Sequence, residues 1–216
     1  MAKLELFIKK LNQYIPLRSF GLLSILFGIF GDIIAYSMYP GYNITKNAVS
    51  ALCDGPGWFF FQTGIIFSGV FAFFWAVYLG YIFNGEEVGE KLKKISIPLA
   101  IISCISFIFI GIFCGKNIIV AYIHGTSAII SWGFGFCYIT VYNILIIRDS
   151  KFSKSIGYFG FVVSFIIATL MVAFFLHLIP ALRSLMIILP SLEWINTFAV
   201  ILWYCIASMY MVIKKI

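Results

Sequence analysis

Six long apolar runs alternate with short polar segments along this chain. Each run is close to the roughly 20 residues that a helix needs to cross about 30 Å of hydrocarbon. The pattern predicts an all-α, polytopic membrane protein with six transmembrane helices, at residues 20–38, 58–83, 95–113, 122–147, 155–178 and 193–213. The connecting segments leave no room for a soluble domain, so we expect residues 20–216 to form a single six-helix bundle.

Residues 1–19 follow a different pattern, in which lysines interrupt the apolar positions. The apolar residues recur at helical spacing on the side opposite the lysines; they are Leu4, Phe7, Ile8, Leu11 and Ile15. This pattern predicts an amphipathic helix that lies on the cytoplasmic surface of the membrane. Pro16 then separates this helix from the first span.

Composition supports the same class of protein. Of the 216 residues, 62% are hydrophobic and 11% are charged, whereas soluble domains are near half apolar and a quarter charged. The formal net charge of +7 does not call for a nucleic acid partner, because the positive bias of cytoplasmic loops produces it. Membrane lipid is therefore the expected partner, and the sequence leaves the oligomeric state open.

Lysine and arginine are distributed unevenly between the two sides of the predicted bundle. If the N-terminus is inside, the outer segments hold only Lys46, Lys116 and Arg183. The other twelve of the fifteen basic residues then lie inside: Lys3, Lys9, Lys10, Arg18, Lys91, Lys93, Lys94, Arg148, Lys151, Lys154, Lys214 and Lys215. The positive-inside rule therefore predicts a multi-pass protein of the cell membrane with both termini cytoplasmic.

The first span carries an acidic residue within its apolar run. Ser24, Gly28, Asp32 and Tyr36 are spaced four apart and line one stripe of a helix. An ionised aspartate in lipid costs several kcal/mol. Asp32 is therefore expected to face the bundle or a wet cavity, or to stay protonated.

Polar residues from separate segments reach one depth near the outer ends of the spans. They are Asp32, Asp54, Gln62, His124, Ser127, His177, Glu193 and Asn196, and they include both histidines of the chain. Tyr39 and Tyr42 lie beside them at the level of the lipid headgroups. This convergence predicts an outward-facing polar pocket for a lipid headgroup or a lipid-linked ligand.

Several of these candidates also have a purely structural interpretation. Asp32 can cap the backbone of the loop, and His124 can be a hydrogen-bonded histidine between helices. His177 can end a helix before Pro180. Glu193 can offset the macrodipole from a first helical turn, and Asp54 suits the turn Asp54-Gly55-Pro56-Gly57. The set as a whole supports a site more strongly than any one member does.

Two connecting segments are predicted to shield the pocket. In the loop between the first two spans, Asn43 or Thr45 is expected to cap a short helix with Val49 and Leu52 on its apolar face. Between the last two spans, Pro180 and Pro190 bracket a segment too short to cross the membrane and too apolar for a free loop. We interpret this second segment as interfacial or re-entrant.

Two of the five cysteines, Cys53 and Cys114, fall near the outer ends of the spans. They can form a disulfide in an oxidising compartment. The favoured interpretation from the sequence is that they are small buried apolar residues.

One set of motifs resembles a known family. The chain has Tyr39-Pro40-Gly41-Tyr42, then Asn47 and Ser50-Ala51-Leu52, and in the second span Gly64 and Ser68-Gly69. These motifs resemble the prokaryotic six-helix family catalogued as domain of unknown function nine-nine-eight, which has a histidine opening span four and a glutamate opening span six. His124 and Glu193 match those positions, whereas Ala51 departs from an acidic residue. That family is distantly similar to the FRAG/DRAM/Sfk group, which implies lipid remodelling by analogy of fold.

Three hypotheses of function follow. The first is a lipid-handling protein, an enzyme only if Asp32, His124 and Glu193 converge. His124 would then act as a base oriented by Asp32, or Asp32, His124 and His177 would bind Zn²⁺. The second is a non-catalytic scaffold that binds lipid or a protein partner. The third is a haem protein with His124 and His177 as axial ligands, for which the sequence offers no further signature.

Overall fold

A computed structural model describes the backbone of residues 2–115, 117–177 and 179–216, and their side chains except those of residues 2–5, 183, 185 and 186. Within these ranges the chain is helical and has no strand. Its α-helices are α1 (Ala2–Tyr14), α2 (Phe20–Ser37), α3 (Trp58–Ile82), α4 (Gly85–Val88), α5 (Glu90–Ile112), α6 (Ile118–Arg148), α7 (Lys154–His177) and α8 (Leu189–Lys214). Lys116, Leu178 and the side chain of Arg183 lie outside the described residues.

The six helices α2, α3, α5, α6, α7 and α8 are long and apolar enough to cross a membrane. The all-α, six-helix prediction is confirmed. Three helices begin four or five residues earlier than predicted, α5 at Glu90, α6 at Ile118 and α8 at Leu189. The first turn of α5 is charged, so a hydropathy pattern misses it. Pro190 belongs to the first turn of α8, where its missing N–H costs no helical hydrogen bond.

The six long helices form a closed ring in chain order. Each one packs against the next, from α2 and α3 through α5, α6 and α7 to α8, and α8 returns to α2. We call the end with the 38–57 loop the loop end, and the other end the opposite end. At the opposite half, Trp75 and Trp203 pack edge to face with ring centroids 5.7 Å apart, and Trp203 donates a hydrogen bond of 3.0 Å to Asn143 Oδ1. This half of the bundle is a filled core.

Helix α1 docks against the opposite end of the bundle. Ile8 is buried in the main core and Leu11 packs against that core, whereas Phe7 and Ile15 are exposed. Part of the apolar face that the sequence predicted is therefore used for contact with the protein itself. The segment Ala2–Tyr14 is helical, and its role as an amphipathic helix on a membrane surface stays a prediction.

The opposite end is also fastened by carboxylates in its loops. Asp149 is buried and accepts a hydrogen bond from the Asn84 N–H at 2.9 Å. The two Glu87 oxygens accept from Ser150, one from the backbone N–H at 2.9 Å and one from the hydroxyl at 3.2 Å. These bonds join the segment after α3 to the segment after α6.

At the loop end, the 38–57 loop folds into the bundle. Its 3-10 segment Val49–Asp54 buries Leu52 completely in a second apolar cluster with Phe61 and Trp194. The predicted side-chain cap from Asn43 or Thr45 is wrong, because the segment begins after Ala48 without a side-chain cap. Asn43 Oδ1 instead accepts from the Thr45 N–H at 2.9 Å, which closes a separate turn.

A disulfide between Cys53 and Cys114 fastens the 38–57 loop to the end of α5. The Cα atoms of the two cysteines are 5.2 Å apart although the residues are 61 positions apart in the chain. The favoured interpretation from the sequence, two unpaired buried cysteines, is therefore wrong for this pair. The spacing of the cysteines along the chain does not predict which helix ends are neighbours in the ring.

The segment between α7 and α8 is a 3-10 helix, Pro180–Ile188. It packs against both of those helices. Because α8 begins at Leu189, Pro190 does not bracket this segment as predicted but stands inside the next helix. Its interfacial position stays a prediction.

Candidate functional site

A cavity of about 260 Å³ lies between the six long helices. Aliphatic and aromatic side chains such as Phe61, Ile65, Phe107 and Trp132 make up much of its lining. The polar and ionisable side chains of the lining are Ser24, Asp32, Ser50, Ser68, Ser103, Cys104, His124, Ser131, Tyr138, Glu193, Asn196, Thr197 and Tyr204. The structure thus brings Asp32, His124, Glu193 and Asn196 around one space, although they come from three different helices.

Helices α2 and α3 pack closely beside Asp32, which lines the cavity. A Cβ atom at Gly31 would lie 2.8 Å from Phe60 O and 2.9 Å from Gly64 Cα, so the two backbones touch here. Seven residues before Gly31 on α2, Ser24 Oγ lies 3.1 Å from Ser68 Oγ of α3. Small residues at such a crossing allow two membrane helices to approach this closely.

Asp32 is buried with one oxygen unpaired. The residue is 8% exposed, and Oδ1 has no hydrogen-bond partner among the described residues. The interpretation of Asp32 as a cap for the loop backbone does not account for that oxygen. A buried polar atom without a partner lowers the stability of the fold. The contacts that Asp32 makes within the protein therefore do not explain why a carboxyl group stands at this position.

Glu193 holds the 38–57 loop onto α8. Its Oε2 accepts a hydrogen bond from Ser50 Oγ at 3.3 Å, and the backbone N–H groups of Val49 and Ser50 also bond to this carboxylate. The interpretation of Glu193 as a first-turn residue is wrong, because α8 begins at Leu189 and its first turn holds no acidic residue. The carboxylate instead meets the N-terminal N–H groups of the 3-10 segment.

His124 is anchored through one ring nitrogen. Its Nδ1 lies 3.0 Å from Ile110 O and 3.1 Å from Phe113 O, at the end of α5. Carbonyl oxygens only accept hydrogen bonds, so Nδ1 carries the hydrogen. In the neutral ring Nε2 is then the acceptor. The interpretation of His124 as an interhelical hydrogen-bonding residue is correct for Nδ1 and leaves Nε2 for another partner.

Tyr42 and Tyr39 organise the loop and do not line the cavity. The Tyr42 hydroxyl donates to Ala48 O at 2.6 Å and accepts from Trp194 Nε1 at 3.3 Å. Burial raises the pKa of the Tyr42 hydroxyl above its ordinary value. The Tyr39 ring packs on Tyr42 with centroids 5.3 Å apart. Their predicted contact with a ligand stays a prediction.

The remaining candidates are dispersed. Asp54 is exposed and lines a second pocket of about 270 Å³, of which Ser50 and His124 also form part. Gln62 Nε2 donates to Ile112 O at 3.3 Å. Ser127 is buried but is not part of the cavity lining. His177 is also outside that lining, and its buried Nδ1 has no partner in the part of the chain that the structure describes.

The described residues do not bring the predicted zinc ligands or the predicted haem ligands together at the cavity. Among the described residues, no group of three or more His, Cys, Asp or Glu side chains is placed to hold a metal ion. The predicted zinc set of Asp32, His124 and His177 is therefore not assembled. His124 lines the cavity and His177 does not, so the two histidines do not face one another across it as a pair of axial ligands would.

Ser50 is the site residue that the sequence analysis missed. It lines both pockets and donates to Glu193, yet in the sequence it is one serine in a polar loop. Its only signal there was its place in the Ser50-Ala51-Leu52 triplet.

Comparisons of the chain with protein-family models, with curated proteins and with solved structures find no match.

Proposed function

We propose that this protein binds a membrane amphiphile, a lipid or a lipid-linked molecule, in the cavity between its helices. The headgroup would lie against Asp32, His124 and Glu193, and the chain would follow the apolar wall. The observation that carries the proposal is the buried Asp32 carboxylate, whose Oδ1 has no partner, at a cavity lined mainly by apolar side chains. A bound headgroup would supply the missing hydrogen bond.

The cost of leaving buried polar atoms unpaired favours a bound ligand over an empty cavity. An unsatisfied buried polar atom costs about 1–3 kcal/mol. Asp32 Oδ1 and Asn196 Oδ1 are both in this condition and both belong to the cavity lining. One molecule with polar and apolar parts satisfies these atoms and also covers the apolar wall.

The proposed orientation has the loop end facing the outside and both termini in the cytoplasm. The twelve-to-three distribution of lysine and arginine supports this orientation. The Cys53–Cys114 disulfide at the loop end supports it independently, because disulfides persist in oxidising compartments outside the cytoplasm. The ligand would then enter from the outer leaflet.

The resemblance of the Pro-Gly-Tyr and Ser-Ala-Leu motifs to a six-helix prokaryotic family is part of the same proposal. Those residues are Pro40–Tyr42 and Ser50–Leu52. Ser50 and Leu52 have structural roles at the loop end, one bonded to Glu193 and one buried. A link with lipid remodelling would be in keeping with an amphiphile in the cavity.

A second candidate function is hydrolysis or transfer of a headgroup. The tautomer of His124 favours it, because Nδ1 is held by α5 carbonyls and Nε2 is the acceptor. Water or a ligand hydroxyl would attack the ester that holds the headgroup and give its proton to Nε2, and the ester bond to the leaving alcohol would break as that alcohol takes the proton from Nε2. Replacement of His124 by Asn would abolish turnover of a bound lipid without displacing it.

The test of binding uses a cavity-filling variant. Gly125 lines the cavity, and a Cβ atom there meets nothing within 4 Å, so Gly125→Leu has room to occupy the space. The matched control is Thr126→Leu, at the next position of α6 and exposed. We expect purified wild-type protein and the control to retain lipid detected by mass spectrometry, and the Gly125→Leu variant to lose it. Equal lipid in all three proteins would contradict the proposal.

A further inference from the structure

We infer that the cavity selects an amphiphile whose headgroup is an ammonium cation with N–H donors, rather than a phosphate or a carboxylate. This inference rests on the proposed function, because it specifies which ligand the same cavity takes.

Among the described residues, the lining offers carboxyl groups to a headgroup and no fixed positive charge. The ionisable groups that belong to it are two carboxyl groups and one imidazole, those of Asp32, Glu193 and His124, together with Cys104, Tyr138 and Tyr204. None of the described residues of the lining is lysine or arginine. An anionic headgroup would therefore meet acidic side chains without a countercharge, which disfavours its binding. A cation would pair with them.

The free hydrogen-bonding atoms of the lining also favour an ammonium headgroup, because they are acceptors. Asp32 Oδ1 and Asn196 Oδ1 are buried acceptors without a partner among the described residues, and both residues are 8% exposed. His124 uses Nδ1 for the α5 carbonyls, so Nε2 of the neutral ring is a third acceptor. A primary ammonium group offers three N–H donors and no acceptor, whereas phosphate and carboxylate offer acceptors where the site already has them.

Glu193 gives a reason to expect a cationic headgroup and not only a neutral hydrogen-bond donor. Its carboxylate already receives the Ser50 hydroxyl and two backbone N–H groups. Among the described residues of the lining, no lysine or arginine stands beside this buried carboxylate, and a bound ammonium group would supply the missing countercharge. A neutral polyol would supply donors but would leave this charge uncompensated, so an ammonium group is the better complement.

Trp132 provides a reporter for the experiment. It lines the cavity and lies eight residues after His124 on α6, which is about 12 Å along the helix axis. A chain that extends from the headgroup site along the wall would contact the indole. We therefore use four alkyl probes of one chain length with a terminal bromine, which quenches tryptophan on contact, and with an amine, alcohol, carboxylate or phosphate headgroup.

The titrations are done on purified full-length protein in a neutral detergent, and Trp132→Phe shows which part of the quenching comes from the cavity. We expect the amine to bind at least about tenfold more tightly than the carboxylate or the phosphate, a difference of roughly 1.4 kcal/mol. The Asp32→Asn variant should remove most of the advantage of the amine over the alcohol. The matched control is Asp54→Asn, at an exposed carboxylate outside this cavity.

The outcomes separate the two proposals. Equal affinity for all four headgroups, or tightest binding of an anion, overturns the inference about the headgroup and leaves amphiphile binding in place. An alcohol that binds as tightly as the amine shows that hydrogen bonding alone decides, which also overturns it. If no probe quenches Trp132, both this inference and the proposed function fail. These comparisons on the wild-type protein do not depend on whether the Asp32 variant folds.

Discussion

Ser50 Oγ donates a hydrogen bond of 3.3 Å to Glu193 Oε2, across 143 positions of the chain. This bond joins the loop after the first long helix to the start of the last one, and those two helices also close the ring. Ser50 lines the buried cavity and the surface pocket alike. The contact therefore lies between the candidate site and the exterior of the bundle, and its strength determines how firmly the loop covers that site.

Loss of the Ser50 hydroxyl should loosen the loop. A hydrogen bond to a charged group contributes about 1.5–3 kcal/mol, and the two backbone N–H groups remain in Ser50→Ala, so we expect a loss of stability at the lower end of that range. Thr45→Ala is the control, because its hydroxyl bonds only locally, to Asn43. Limited proteolysis of the loop and thermal melting measure the effect. Indistinguishable behaviour of the two variants would argue against a role for Glu193 in holding the loop.

Reduction of the Cys53–Cys114 disulfide should destabilise the fold. The bond closes a loop of 61 residues, for which the chain-entropy estimate is about 4 kcal/mol. We expect a reductant to lower the melting temperature of the wild-type protein and to leave that of a Cys53→Ser, Cys114→Ser double variant unchanged. A wild-type melting temperature that does not respond to reduction would show that the loop is held by its apolar contacts alone.

The contact between α2 and α3 should not tolerate a methyl group. At Gly31 a Cβ atom would lie 2.8 Å from Phe60 O, so Gly31→Ala must push the helices apart, at a cost of roughly 1–3 kcal/mol. Gly125→Ala is the matched control on α6, where nothing lies within 4 Å and the better helix propensity contributes up to about 1 kcal/mol. The two variants should therefore shift the melting temperature in opposite directions.

Sidedness can be measured by labelling. With Cys104, Cys137 and Cys205 replaced and the disulfide left intact, we expect an impermeant maleimide applied to whole cells to label Lys46→Cys and not Lys91→Cys. Both lysines are exposed, so accessibility in the folded protein is comparable. Labelling of Lys91→Cys alone would reverse the orientation and place the cavity on the cytoplasmic side.

Acid should weaken the opposite end through Glu87. The backbone N–H and the hydroxyl of Ser150 hold the pKa of the Glu87 carboxyl below its usual value of 4.5. Because the folded pKa is the lower one, the contribution of Glu87 is present above pH 4.5 and is lost as the pH falls through the folded pKa. Glu87→Gln should melt with less dependence on acid than the wild type, whereas Glu86→Gln, which removes the same charge next to it, should keep the wild-type dependence.

The sequence by itself determined the class of protein and its helices. Six apolar runs of sufficient length predict spans because hydrocarbon requires the backbone to satisfy its own hydrogen bonds, and this rule depends on local composition only. For the same reason Asp32 stood out, since one carboxyl group in an apolar helix is conspicuous without knowledge of its neighbours. Two of the early helix starts have a local reason, because the first turn of α5 is charged and that of α8 contains proline.

The tertiary structure decided which of the polar residues share a space. Depth in the membrane can be counted along a helix, but the face that a residue presents to the bundle depends on how the helices rotate and cross. Glycine contacts such as that between Gly31 and Gly64 set the crossing, and they turn Asp32 toward the cavity. His177 lies outside the lining, although it was predicted to reach the same depth as His124. The pairing of Cys53 with Cys114 and the bond from Ser50 to Glu193 likewise exist only because the ring closes, and no local pattern in the chain encodes either contact.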